Sequence, residues 1–485
     1  MSPMPGRFRW LILLPVIALV ATACGPSATT SSAPTGASSA PASVGASASA
    51  PAASTAATPE PTAVTGASCA STATVVKFWT SHTPPDSDTL AKIVNTFNTA
   101  NPDICVQMTI VPGSETDVAK LITSIRGGVA PDVYMADRFT VAQRAAEGVL
   151  AELPASAAAL ADQHVAFAWA ETQYKGKTYA LPFDTDARAL WYNADLVKAA
   201  GEDPAQLDIS KGAPTIALVT KIADKINKMD ASGNYDVMGW MPGGPGPGGN
   251  PGAFDQGWHY TWGFDYGGKF ADLAACKVTP TDPGVVAGFQ FMYDWQKAHD
   301  PTKVARWVST NYPPNSPAQQ FPLWTQKLGM TISGDWQIAS AVKYGGGHSY
   351  KFTYIPVPKA GDQPTTWAGG WSMALIPGSK VADQAVKFIE YITGPEGQKV
   401  YTKDTTHLPT LIALQKDASL FDPQHQVFLD LLPGAQSRPP LAVGGIYWDA
   451  LTAAQGAVEL NTKTPADALA EVATTVQPRL DEVGC

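Results

Sequence analysis

The sequence predicts an α/β protein whose parallel sheet is covered by helices, and three observations carry that expectation. Strand-like and helix-like segments alternate from residue 75 onward, the pattern of βαβ units. The folding part holds about 410 residues, more than one hydrophobic core normally serves, so at least two lobes are expected. The alternation also restarts after Leu181-Pro182-Phe183.

Each element follows from local pattern. Val75-Val76-Lys77-Phe78-Trp79 reads as a short buried strand, and Leu90, Ile93, Val94 and Phe97 recur at helical spacing after it. Asn101-Pro102-Asp103 ends that helix. Residues 104–111 read as a second strand, 118–125 as a helix and 132–135 as a third strand. Ligands of such sheets sit beyond the carboxyl ends of the strands, which points to the loops starting at Thr80 and Ala136. In the second half, 189–192 reads as a strand, 194–200 and 218–228 as helices, and 241–257, loaded with Pro and Gly, as a long surface loop.

The first residues read as an export signal. Arg7 and Arg9 precede the apolar run Leu11 to Val20, and Ala21-Thr22-Ala23 leads to Cys24. An apolar core of about a dozen residues is too short for the roughly 20 that span a bilayer. Residues 1–23 are therefore expected to be a lipoprotein signal peptide, with Cys24 as the lipidated residue; ordinary secretory cleavage is the alternative, because Ala21 stands where Leu is usual. From Gly25 to Ser68 the chain is almost wholly Ala, Ser, Thr, Pro and Gly, with Glu60 its only charge. Too little apolar surface is available there to offset the cost of ordering. Residues 24–74 are expected to be the lipidated cysteine and a disordered tether, whose stretch from Gly25 to Ser68 spans roughly 35–40 Å, or an O-glycosylated stalk.

The formal charge is −9, or −11 once Arg7 and Arg9 are removed, and no basic cluster follows, which disfavours nucleic acid and anionic lipid as partners. Four cysteines remain besides Cys24: Cys69, Cys105, Cys276 and Cys485. They lack C-x-x-C spacing, so structural disulfides are expected in an oxidising compartment, and three pairings are open. No P-loop, no G-x-G-x-x-G after a strand and no H-E-x-x-H occurs, so no cofactor and no metal is expected. Seven tryptophans, at 240, 258, 262, 295, 307, 324 and 336, exceed what a core of this size needs. Burial accounts for about half of them, and the rest are expected to be flat binding surfaces. Indoles match the C–H faces of a sugar ring, and carboxylate or guanidinium groups match its hydroxyls.

The stretch "PFDTDARALWYNADLVKAAG" (Pro182 to Gly201) resembles the signature of the family 1 extracellular solute-binding proteins, the maltose-binding-protein-like receptors of ABC importers. "APDVYMADRF", "GKTYALP", "KLGMTISGDW", "YIPVPKAG" and "WAGGWSMALIPGSKVADQAVKFIEYITGPEGQ" extend the resemblance over nearly everything from Val75 onward. Trp191 and Ala199 depart from the usual residue types. The resemblance implies a two-lobed periplasmic-binding-protein-like fold with three hinge crossings and a ligand cleft between the lobes. One lobe would hold 75–183 and 375–430, the other 184–374 and 431–485. Cys69 and Cys105 then belong to one lobe and Cys276 and Cys485 to the other, which favours those two pairs, since a crosslink between lobes would resist closure.

Candidate ligand contacts are carried over in the same way. Asp137 and Arg138 match an Asp-Arg pair that bonds sugar hydroxyls, with a local ion pair as the plain alternative. Asp186 matches a hinge carboxylate, with Asp184 its near competitor. Trp336 matches a stacking indole, and Tyr447 with Trp448 an aromatic pair. Trp258 and Tyr260 fall near a ligand-facing aromatic, and Trp371 lies just before the second hinge. His82, with Ser81, could reach in from the first strand, while Arg438 is expected to hold the hinge rather than the ligand. The expectation is a monomeric, lipid-anchored receptor on the extracytoplasmic face of the cell membrane. It would pass a sugar or oligosaccharide to the permease subunits of an ABC importer and catalyse nothing. The rivals are an exported glycosidase using Asp184 and Asp335, an adhesion or signalling module, and a receptor for a polyamine, metal chelate or amino sugar.

Overall fold

The computed structural model describes residues 62–64, 69–111, 113, 118–243, 258–313 and 316–485. The expected signal segment, Cys24, most of the tether and residues 244–257 of the Pro/Gly loop lie outside the described residues.

The described residues open with β1 (Thr62–Val64) and β2 (Thr74–Thr80), then α1 (Asp86–Ala100), β3 (Ile104–Ile110), α2 (Ala119–Arg126), β4 (Val133–Asp137) and β5 (Ala180–Pro182). In α1 the apolar stripe Leu90, Ile93, Val94 and Phe97 is buried, and Asp86 and Asp88 lie in the first turn, where the helix dipole favours negative charge. The Asn101 amide closes its end by donating to Phe97 O at 2.9 Å. Three residues of the expected tether form β1, which pairs with the edge of β3.

A first crossing carries β6 (Asp184–Thr185) into β7 (Arg188–Asn193), followed by α3 (Ala194–Ala199), α4 (Ile216–Ile226), β8 (Lys228–Met229), β9 (Tyr235–Met241), α5 (Trp258–Asp265), α6 (Pro283–His299), β10 (Leu328–Gly334), α7 (Gln337–Tyr344) and β11 (Tyr350–Thr353). Within the Pro182 to Gly201 stretch, Tyr192-Asn193-Ala194-Asp195-Leu196 has a structural reason. Buried Asn193 ends β7 and caps α3, its Oδ1 accepting from the backbone N–H of Asp195 and Leu196. Its amide donates to Gln326 at 2.7 Å.

The second crossing leads through β12 (Trp367–Ala368) to β13 (Trp371–Leu375), α8 (Ala382–Thr393), α9 (Pro395–Thr405), β14 (Leu408–Pro409) and α10 (Pro423–Leu431). The third runs through β15 (Gln436–Ser437) to α11 (Gly444–Glu459) and α12 (Pro465–Val483). Short pairs, β6 with β14 and β12 with β15, bind the crossings to one another.

The two larger sheets among the described residues are ordered β1-β3-β2-β4-β13-β5 and β8-β9-β10-β7-β11. The expected parallel sheet is corrected to a mixed one in each case. β2 runs parallel to β3 and β4, but β13 re-enters from the second lobe and lies antiparallel to β4 and β5. In the second sheet β9 and β10 are parallel, while β7 opposes both β10 and β11.

The first core gathers Val76, Phe78, Phe97, Met108, Met135, Phe388 and Ile389, each such burial worth roughly 1.5–3 kcal/mol. The second takes in Trp191, Trp240, Trp258, Trp262, Trp307 and Trp324. Phe428, ahead of the expected boundary at 431, packs there as well, its ring 4.8 Å from that of Phe352. The surmise that about half of the seven tryptophans present binding faces is corrected: six are buried, Trp240 edge-on to Trp262 and Trp295 stacked on His299 among them, and of the seven only Trp336 lines the cleft. The disulfides are Cys69–Cys105 and Cys276–Cys485, the pairs that the lobe assignment favoured. Among the described residues, no helix is long and apolar enough to cross a membrane.

Candidate functional site

A cleft of about 440 Å³ opens where strand ends and crossings meet. The loop after β2 supplies Ser81 to Pro85, α1 opens with Asp86, and the end of β4 supplies Asp137. The loop after β10 supplies Trp336, α11 supplies Trp448, the turn between α9 and β14 supplies His407, and the crossings supply Asp186, Arg188, Trp367, Trp371 and Arg438. Two glycines permit this arrangement. Gly370 has φ of 127°, and a Cβ there would strike the Arg138 guanidinium and the Asp184 carbonyl. At Gly334 a Cβ would overlap the Trp336 indole, which folds back over the strand end.

Of the eleven ligand-contact candidates, the structure brings His82, Asp137, Asp186, Trp336, Trp371 and Trp448 together in the cleft wall. Five stand elsewhere. Arg138 is fully buried; its Nε donates to Glu171 at 2.8 Å and its Nη atoms donate to the carbonyls of Asp184 and Gly369. Asp184 is buried beside it, accepting from the Trp371 N–H at 2.6 Å. Trp258 lies in the second core. Tyr260 packs 4.4 Å from the Phe270 ring, and the Tyr447 hydroxyl donates to Phe270 O at 2.8 Å. Neighbouring helix positions point about 100° apart, so Tyr447 turns inward while Trp448 reaches the cleft.

The cleft contains residues that sequence reasoning passed over: Asp86, Arg188, Trp367 and His407. Arg188 lies two residues beyond Asp186, and strand periodicity puts i and i+2 on one face, a signal available in "DTDAR". Its guanidinium bonds Asp186, donates to Trp367 O at 3.2 Å and rests 3.3 Å above the Trp367 ring.

Ion pairs organise the charges. Arg438 holds Asp137 through two bonds, at 2.6 and 3.2 Å, with Glu171 at 3.9 Å from its Nε. Its guanidinium lies 4.2 Å from the Phe139 ring centre, and although burial opposes the charge, Asp137 and Glu171 raise its pKa. Glu171 is itself raised, by burial against the pull of Arg138 and Arg438. Asp186 is held below the usual carboxylate range: burial opposes this, but Arg188, the Gly369 N–H and Arg438 prevail. Burial lifts Asp184 to about 6 and Asp335 well above its ordinary value. Burial also lowers His82 to about 4, and its Nδ1 meets the Tyr401 hydroxyl at 3.1 Å. Among the described residues, no group of three or more His, Cys, Asp or Glu side chains is placed to hold a metal ion.

Two mixed sheets, three crossings and a cleft walled from both sides define a hinged binding protein. Residues 92–423 match the bacterial extracellular solute-binding protein family, and the chain belongs to that family. A probable ABC transporter-binding protein of Deinococcus radiodurans is 25% identical over 312 residues, 61% of this chain and 67% of that one. The GacH receptor of Streptomyces glaucescens, solved unliganded and with acarbose, superposes with a TM-score of 0.68 at 22% identity, over 84% of this chain and 98% of that one. Maltose-bound MalE3 of T. maritima gives 0.67 at 23% identity, over 84% and 100%. These likenesses establish the fold as the two-lobed α/β architecture of maltose-binding-like proteins.

Proposed function

We propose that the chain is a lipid-anchored extracytoplasmic receptor that closes on a neutral sugar or short oligosaccharide and presents it to an ABC importer. One observation carries the reading: the cleft satisfies its charges internally while offering aromatic faces. Asp137 is paired with Arg438, Asp186 with Arg188, and His407 with Asp86 and Asp184. A charged guest would compete for partners already engaged. A sugar accepts and donates directional bonds at such pairs and lays its C–H faces on Trp336, Trp371 or Trp448.

Closure follows from differential contact, since a ligand favours the closed state only by what it gains from touching both walls. The acarbose complex of GacH and the maltose complex of MalE3 support a saccharide as guest. A hydrolytic role is disfavoured because Asp184 and Asp335, the carboxylates it would use, do not line the cleft.

The test is a melting-temperature screen against neutral saccharides, including acarbose, maltose and mannobiose, beside polyamines and metal chelates. A ligand at 100 times its Kd stabilises the native form by about 2.7 kcal/mol. A shift with a neutral saccharide is expected; a shift with only charged solutes would overturn the proposal. For the anchor, Cys24→Ser should move the protein from the detergent phase to the aqueous phase, and unchanged partitioning would count against lipidation.

A further inference from the structure

We propose that His407 is a positioning residue of the cleft: a buried imidazolium held between Asp86 of the first lobe and Asp184 at the first crossing, on a segment bonded to Asp335 of the second lobe, tying the two walls together behind Trp336. The inference deepens the receptor reading by naming what sets its cleft, and its test requires no ligand.

His407 sits between α9 and β14 with Nε2 3.9 Å from Asp86 and Nδ1 3.6 Å from Asp184. Its ring is layered between Tyr401 (centroids 5.4 Å, planes 16° apart) and Trp336 (5.8 Å, 23°). The residues on either side fasten the one before Trp336. Thr406 Oγ1 donates to Asp335 O at 2.9 Å, and the Leu408 N–H donates to Asp335 Oδ2 at 3.1 Å. The 406–408 segment therefore holds the loop that carries the indole, while the His407 ring reaches across to the start of α1.

Three buried atoms here, His407 Nδ1, Asp184 Oδ2 and Asp335 Oδ1, have no hydrogen-bond partner. Buried carboxylate oxygens without donors are costly unless a positive charge stands close, and the imidazolium is that charge. The other titratable groups turned toward it are Asp186 at the crossing, His82 in the loop before α1, Tyr401 on α9 and His425 on α10. Burial works against protonation of His407, but the Asp86 carboxylate, 3.9 Å from Nε2, together with the charges of Asp184 and Asp335, outweighs it, raising the pKa to about 10. His82 goes the other way, to about 4. Two imidazoles of the cleft wall are thus shifted in opposite directions, His407 upward by its carboxylates and His82 downward by burial.

The test is nitrogen NMR of the full chain with 15N-labelled histidine. One of the seven rings should stay doubly protonated up to pH 9, vanish in His407→Gln and shift in Trp336→Phe, which removes the stacked indole. In His407→Gln, hydrogen–deuterium exchange should rise roughly tenfold in both 82–90 and 333–340, segments of opposite walls, as local opening becomes cheaper. The inference is overturned if no ring remains doubly protonated above pH 8, if that ring persists in His407→Gln, or if faster exchange is confined to 405–410. Should His407→Gln fail to fold, the wild-type titration and the Trp336→Phe shift decide alone. Failure of every saccharide to bind would overturn the receptor proposal and leave these readouts unmoved.

Discussion

Replacing Asp137 by Ala takes away the main partner of a guanidinium that is only 2% exposed. Arg438 would lose bonds of 2.6 and 3.2 Å and keep Glu171 at 3.9 Å, a carboxylate whose other oxygen already accepts from Arg138 at 2.8 Å. Breaking one side of such a buried pair costs about 3–5 kcal/mol, because the remaining charge stays desolvated. The residual attraction of Glu171 and the Phe139 face beneath Arg438 place the expected loss near the lower figure, about 3 kcal/mol. Asp137→Asn keeps an acceptor and should lose roughly 1–2 kcal/mol. Adding Arg438→Met to Asp137→Ala should recover part of the loss, since an apolar pair of similar volume is often neutral in a buried site. Urea unfolding of each full-length variant, followed by circular dichroism, gives the differences. A loss below about 1 kcal/mol for Asp137→Ala, or a double variant less stable than Asp137→Ala alone, would refute the reasoning.

Other outcomes can be checked alongside it. Trp336→Ala should weaken binding of any saccharide found in the screen by about 2 kcal/mol, roughly thirtyfold in Kd by calorimetry. Gly370→Ala should cost roughly 1–3 kcal/mol of stability, from a side chain forced into positive φ against Arg138. Replacing both Cys276 and Cys485 by Ser frees a crosslink spanning 209 residues of sequence and should lower stability by roughly 2–4 kcal/mol. The pKa of His407, raised from 6.5 to about 10, contributes stability that is full below pH 6.5 and lost as pH rises through 10. Urea midpoints of the wild type should therefore fall more steeply between pH 9 and 11 than those of His407→Gln, and parallel curves would contradict this.

The elements legible in the sequence are those with short-range causes. The stripe Leu90-Ile93-Val94-Phe97 and the run 75–79 form the helix and strand they spell, because periodicity alone buries one face. Mixed strand order was not legible, since β13 joins β4 only after the chain has returned from a separate lobe. The same divide runs through the site. Trp336 and Asp137 stand at strand ends, where topology places ligands, whereas His407 gains its surroundings from α1, the first crossing and the loop after β10 at once. Arg138 shows the opposite case: it sits beside Asp137 in sequence, but the backbone turn sends its side chain beneath the crossing to Glu171. The dense tryptophans misled because aromatic packing fills the second core, and density in sequence does not distinguish core indoles from displayed ones.

The most direct test of the account is a crystal structure of the protein grown with the saccharide that raises its melting temperature most. It should show the sugar between the lobes, with a ring face on Trp336 or Trp448 and hydroxyls bonded at the Asp137–Arg438 and Asp186–Arg188 pairs. A sugar bound away from the cleft, or within it but touching one lobe only, would contradict the account.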